Sequence, residues 1–211
     1  MSFKQWSVGI FLFDEVEVLD FAGPFEVFSV TAYPEGDGNP FIVKTISENG
    51  KIVNARNGLK IQPDYTLKNA PHFDIIVIPG GPGIREREIH NEEVIKWIAD
   101  RMGDVQLMTS VCTGAFLLAK AELLDGRRAT THWATYDLLE REFPQVNLQR
   151  HVKYVDEGRI ITSGGISAGI NMTFHIVEIL LGSEIAQRTA LRMEYDLTQL
   201  PLVGSSKGFN F

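Results

Sequence analysis

Val105-Gln-Leu-Met-Thr-Ser-Val-Cys-Thr-Gly-Ala-Phe-Leu-Leu118 changes character at its midpoint. Up to Val111 it is a short apolar run rich in β-formers, of the kind a strand buried on both faces shows. Past Gly114 the apolar spacing fits a helix. Cys112 stands at the joint. A side chain at such a turn is lifted clear of the sheet, and the free N–H groups of the new helix point at it. Those donors and the positive helix end favour a thiolate and would hold an oxyanion beside it. Ser110-x-Cys112-x-Gly114 partly matches the G-x-S-x-G nucleophile elbow. A small buried cysteine at a strand end fits the same residues, so both readings stand at this point.

Working outward, Trp6 to Phe13 reads as a buried strand, and Val16 to Val30 carries Phe21, Phe25 and Phe28 at helical spacing. Pro24 is expected in the first turn of that helix, which puts Asp20 just before or at its start. There the carboxylate either caps free N–H groups or projects towards the carboxyl ends of the strands, where open α/β sheets bind ligands. Phe73 to Gly83 is a strand ending in Pro79-Gly80-Gly81-Pro82-Gly83, a turn that could offer the N–H groups of Gly80 and Gly81 to a ligand. Its spacing matches neither a dinucleotide fingerprint nor a P-loop.

Among the five histidines, only His132 sits at a predicted strand end beside a helix start, after the strand Arg128 to Thr131. It alone is placed to reach Cys112. Gly164-Gly-Ile-Ser-Ala-Gly169 opens an apolar helix running to Leu181; Gly165 and Ile166 either pack closely on neighbouring backbone or wall the Cys112 pocket. The remaining pattern is a strand from Phe41 to Ile46, a hairpin around Asn57-Gly58, and a helix from Asn91 to Met102 capped by Asn91. The elbow helix is expected to run to about Leu124, with further helices over Ala134 to Phe143 and Ser183 to Asp196. Strands alternating with helices predict one α/β domain over residues 1–211, its mostly parallel sheet covered on both faces.

Composition narrows the function. A net charge of −7 with no basic stripe argues against a nucleic-acid partner. No apolar run is long enough to span a membrane. The N-terminus shows no secretory signal and the single cysteine permits no disulfide framework, so a cytoplasmic protein is expected. No His-x-x-x-His or Cys-x-x-Cys pairing exists, and no metal is expected.

Leu19-Asp-Phe-Ala-Gly-Pro24, Ile78-Pro-Gly-Gly81, Ser110-Val-Cys-Thr-Gly114, Leu124-Asp-Gly-Arg-Arg-Ala-Thr-Thr-His-Trp133, Gly164-Gly-Ile-Ser-Ala-Gly-Ile170 and Glu194-Tyr195 together resemble the ThiJ/PfpI superfamily. The resemblance implies a three-layer αβα sandwich with a flavodoxin-like sheet, the class I glutamine amidotransferase-like fold, and a cysteine nucleophile elbow. Within the superfamily the chain looks most like the isocyanide hydratase branch, which has Asp at the place of Asp20 and Thr after the nucleophile. That branch implies Cys112 as nucleophile, Asp20 as acid/base, Thr113 contributing a hydroxyl and an N–H, and Gly80, Gly81, Gly114, His132, Gly165 and Ile166 around a substrate and oxyanion pocket. It implies a small-molecule substrate, no cofactor and a homodimer, for which the apolar tail Leu197 to Val203 is a candidate crossing element. The protease-like branch has His directly after the Cys, and Thr113 occupies that place here. Similar motifs occur in AraC-type regulators, which continue into a helix-turn-helix domain that this sequence does not show. Other chemistry of the superfamily, glyoxalase, deglycase or amidase-like, and a redox- or ligand-sensing role stand as alternatives.

Overall fold

The computed structural model describes residues 4–33 and 38–197. Its strands are β1 (Trp6–Leu12), β2 (Phe41–Ser47), β3 (Val53–Asn54), β4 (Lys60–Ile61), β5 (Tyr65–Thr66), β6 (Ile75–Ile78), β7 (Leu107–Val111), β8 (Arg128–Ala129), β9 (Asn147–Leu148), β10 (Tyr154–Asp156) and β11 (Ile160–Ser163). The helices are α1 (Val18–Val30), α2 (Pro82–Glu86), α3 (Glu92–Met102), α4 (Ala115–Lys120), α5 (Tyr136–Glu142), α6 (Ala168–Leu181) and α7 (Ser183–Arg192).

Seven strands form one sheet in the order β10-β11-β7-β6-β1-β2-β5. Every neighbouring pair is parallel except β10 with β11. Strands β6, β7 and β11 are buried at every position, as strands covered on both faces must be. Helices α1, α6 and α7 pack together as one layer, and α3 packs with α4 as another. Phe28 of α1 meets Phe41 of β2, while Phe11 of β1 faces Trp97 of α3. The arrangement is the three-layer, flavodoxin-like sandwich that the sequence motifs imply.

The chain leaves β1 for β2 on one side and returns to β6 on the other. That reversal is the switch point at which α/β sheets bind ligands beyond their carboxyl ends. The loops after β1, β6, β7 and β11 all open there.

Four local expectations are corrected. Helix α1 begins at Val18, so Pro24 lies inside it and Asp20 is its third residue, with no capping bond from Glu17; the proline removes only the bond to the Asp20 carbonyl four residues earlier. The elbow helix ends at Lys120 rather than near Leu124, because Glu122 takes a left-handed φ of 59°. The segment Arg128 to Thr131 contributes only β8, which pairs with β9 outside the main sheet; the Thr130 N–H leaves the ladder to donate to Thr162 Oγ1 at 2.9 Å. The last helix stops at Arg192, short of Asp196. The Asn57-Gly58 hairpin forms as expected, β3 antiparallel to β4, and Asn91 caps α3 through Val94 N–H. The proposed tail from Leu197 to Val203 lies almost wholly outside the described residues.

Candidate active site

Cys112 follows β7 directly and adopts φ +57° before a single 3-10 turn leads into α4. A left-handed non-glycine residue costs on the order of 1–3 kcal/mol and persists only where its surroundings fix it. Here they do so through Cys112 N–H to Gly164 O at 3.1 Å and Thr131 Oγ1 to Cys112 O at 2.8 Å. Gly114 makes the bend possible, since a Cβ there would lie 2.1 Å from Ile78 O. Two more left-handed residues, Glu15 and Ile166, occupy the adjoining loops.

Asp20 reaches the same point from α1 and is fully buried. Its Oδ2 accepts from Gly80 N–H at 3.0 Å, its Oδ1 from Ile166 N–H at 3.1 Å, and the Cys112 thiol also hydrogen-bonds to it. Burial pushes the Asp20 pKa up to about 7, against the pull of those three bonds. Burial and the neighbouring Asp20 charge also push the Cys112 thiol well up, outweighing the backbone and hydroxyl donors of Thr113. The thiolate expected from the helix end is therefore not the resting state. A short, bent helix start loses to desolvation, and the proton stays on sulfur.

The Gly80-Gly81 turn is also engaged. Gly80 N–H serves Asp20, and Gly81 N–H donates to Thr113 Oγ1 at 3.0 Å. These amides position the acid and the threonine and are not free oxyanion donors. The turn must be glycine at Gly80, where a Cβ would lie 2.6 Å from both Thr113 N and Oγ1 and 2.9 Å from Asp20 Oδ2.

A cavity of ≈ 550 Å³ opens above the thiol, lined by Cys112, Thr113, Gly81, His132, Thr135, Ile166, Pro82, Arg85, Glu86, Glu17 and Arg56. His132 Nδ1 accepts from Ala134 N–H at 3.2 Å, and partial burial lowers its pKa, so the ring is neutral at pH 7. Its ring fills the space beside Gly165, where a Cβ would stand 2.1 Å from His132 Cδ2. His132 thus walls the cavity, but no hydrogen bond joins it to Cys112. Gly114 and Gly165 act as spacers behind the lining. Glu17, Arg56, Arg85, Glu86 and Thr135 were not singled out in the sequence. Only the hairpin signal at Asn57-Gly58, beside Arg56, hinted at any of them.

The arrangement offers a neutral thiol and a carboxyl group of near-neutral pKa sharing a proton at a cavity floor, which suits addition of S–H to an electrophilic carbon. The DJ-1/PfpI family model matches residues 6–179. The chain belongs to the DJ-1/PfpI family. An isonitrile hydratase of Pseudomonas putida is 34% identical over 188 residues, spanning 89% of this chain and 78% of that protein. The transcriptional regulator GbdR of Pseudomonas aeruginosa is 29% identical over 203 residues; the match takes 93% of this chain and 54% of the regulator, so the chain spans about half its length. The crystal structure of a ThiJ/PfpI family protein from Pseudomonas syringae superposes with a TM-score of 0.82 at 25% identity, covering 97% of this chain and 79% of that one. Among the described residues of this DJ-1/PfpI protein, no helix is long and apolar enough to cross a membrane.

Proposed function

We propose that the chain hydrates isocyanides to N-substituted formamides through a covalent adduct on Cys112. The observation that carries this reading is the buried Cys112–Asp20 pair, in which a carboxyl with a pKa of about 7 hydrogen-bonds to the thiol. Similarity to the isonitrile hydratase of Pseudomonas putida supports it.

The carbon of R–N≡C accepts both a nucleophile and a proton. Asp20 takes the proton from the Cys112 thiol, sulfur bonds to that carbon, and Asp20 returns the proton to the same carbon. The product is a thioimidate, R–N=CH–S–Cys112. In the second half Asp20 takes a proton from water as the oxygen attacks the carbon. That proton passes to nitrogen, the C–S bond breaks, and water's second proton ends on the sulfur. R–NH–CHO leaves, and the thiol is restored. A pKa near neutrality lets one carboxyl accept and donate in turn. Thr113, bonded to Gly81, keeps its N–H and hydroxyl beside the sulfur.

The test is conversion of 4-methylphenyl isocyanide to its formamide by the purified protein. Cys112→Ala and Asp20→Asn should each abolish it, and the intact mass of trapped wild-type protein should rise by that of the isocyanide. Absence of formamide from folded, reduced protein would remove the hydratase reading.

A ligand-sensing role is the second reading, favoured by the match of 93% of this chain to a transcriptional regulator. It predicts tight binding of a small molecule that survives Cys112→Ala, with no turnover.

A further inference from the structure

The mouth of the Cys112 cavity carries four charged side chains, Glu17, Arg56, Arg85 and Glu86. They are not equivalent. Glu17 Oε2 lies 2.6 Å from Arg56 Nη1, so its charge is matched. That contact engages one nitrogen of a guanidinium that has five N–H donors. Arg56 is brought to the rim deliberately by the hairpin of β3 and β4. Its own N–H donates to Val16 O at 2.9 Å, and Asn54 N–H donates to Asp14 Oδ1 at 2.7 Å. The negative charge of Glu15 adds to the hold of Glu17 on the Arg56 proton. The Arg85 side chain, which also lines the cavity, makes no hydrogen bond or ion pair among the described residues. Glu86 follows it directly, and consecutive helical side chains do not face one another.

Two guanidiniums, one with spare donors and one unpartnered, thus line the mouth of the cavity above the Cys112–Asp20 pair. An isocyano group is narrow and linear, and a cavity of ≈ 550 Å³ leaves room for a substantial body behind it. The far end of that body meets the rim. A carboxylate matches the planar fork of an arginine better than any other common organic anion except phosphate.

We propose that this cavity selects isocyanides bearing a carboxylate, with the isocyano carbon at Cys112 and the carboxylate on Arg85, assisted by Arg56. The assignment rests on the hydratase reading above and names its substrate class.

The experiment compares 4-isocyanobenzoate with its methyl ester, which has the same body and no charge, in wild type, Arg85→Gln and Glu86→Gln. Intrinsic reactivity cancels when the ratio of the two kcat/KM values is compared between variants. In Arg85→Gln the acid-to-ester ratio should fall about tenfold, the scale of a charge-assisted contact at a partly solvated rim. In wild type, raising sodium chloride from 0.02 to about 0.5 M should lower it as well, because such a contact is screened. Glu86→Gln should hold the ratio or raise it. A ratio that Arg85→Gln leaves unchanged overturns the selection while leaving hydration intact. Formamide from neither compound removes the hydratase reading and the substrate class with it. Alkylation of Cys112 by iodoacetate against iodoacetamide then tests the rim alone: if Arg85→Gln does not slow the anionic reagent relative to the neutral one, the anion site is overturned too.

Discussion

Ile166 donates its backbone N–H to Asp20 Oδ1 at 3.1 Å from a position 146 residues further along the chain. Gly80 N–H closes on the other carboxylate oxygen at 3.0 Å. The acid is therefore placed by loops after β6 and β11, and its position is a property of the assembled sheet end. Ile166 takes a φ of 55° to make its bond, which is strain that the neighbouring packing sustains.

The first prediction concerns rate and pH. Asp20 must be ionised to take the thiol proton, and its pKa stands at about 7. Isocyanide kcat/KM should rise about tenfold per unit below pH 7 and level off above it. Asp20→Asn should be slow and flat over pH 5 to 9. A profile that falls through neutrality would contradict the assigned direction of proton transfer.

Stability carries the opposite dependence. A carboxyl whose folded pKa is raised from 3.8 to about 7 costs nothing below pH 4, costs progressively more between pH 4 and 7, and costs its full amount above. That amount is about 4 kcal/mol on the linkage scale. Denaturant titrations of wild type and Asp20→Asn should show the variant gaining on wild type as the pH rises through this window, by up to that amount. A constant difference between the two would show that Asp20 titrates normally.

Gly80→Ala tests the turn. Its Cβ would meet Thr113 N and Oγ1 at 2.6 Å and Asp20 Oδ2 at 2.9 Å, so the acid and the threonine must both shift. Overpacking of this kind costs about 1–3 kcal/mol. Activity should fall more steeply, by about a hundredfold, since displacements near 1 Å have that effect on positioned groups. Far-ultraviolet circular dichroism separates the two losses, and full activity in a folded variant would show that the turn does not hold the pair.

Thr113 offers a rescue experiment. Thr113→Val removes the acceptor of Gly81 N–H and should destabilise the chain by about 1–3 kcal/mol. Thr113→Ser retains the hydroxyl and should recover most of that loss in thermal denaturation. Loss in Thr113→Ser with none in Thr113→Val would instead assign the effect to the methyl group.

Much of this was legible beforehand, and the reasons differ by element. The runs at β1, β6 and β7 read correctly because strands covered on both faces must be apolar throughout, a signal that survives any loop geometry. Cys112 stood out because its local sequence switches period within a few residues. Asp20 was visible as a residue but misplaced, because Pro24 suggested a helix start that tertiary packing moved back to Val18. The turn at Gly80 and Gly81 read as one that could offer its N–H groups to a ligand. Whether an amide is free depends on what the rest of the chain brings to it, here Asp20 and Thr113 from other elements. The charged rim was illegible for the same reason. Glu17, Arg56 and Arg85 are ordinary surface residues until the hairpin and α2 are folded around the cavity.

The hairpin of β3 and β4 stands apart from the seven-stranded sheet and is tied to the β1–α1 loop by two backbone bonds, Glu15 N–H to Asn54 O and Arg56 N–H to Val16 O, beside the side-chain contacts of Asp14 and Glu17. Backbone bonds do not depend on which side chain each residue carries. Drift within the turn at Arg56 can therefore change what the cavity admits while the Cys112–Asp20 pair and the core stay as they are. In evolutionary terms the hairpin is an exchangeable cassette, and relatives with the same nucleophile should diverge in appetite first at this turn.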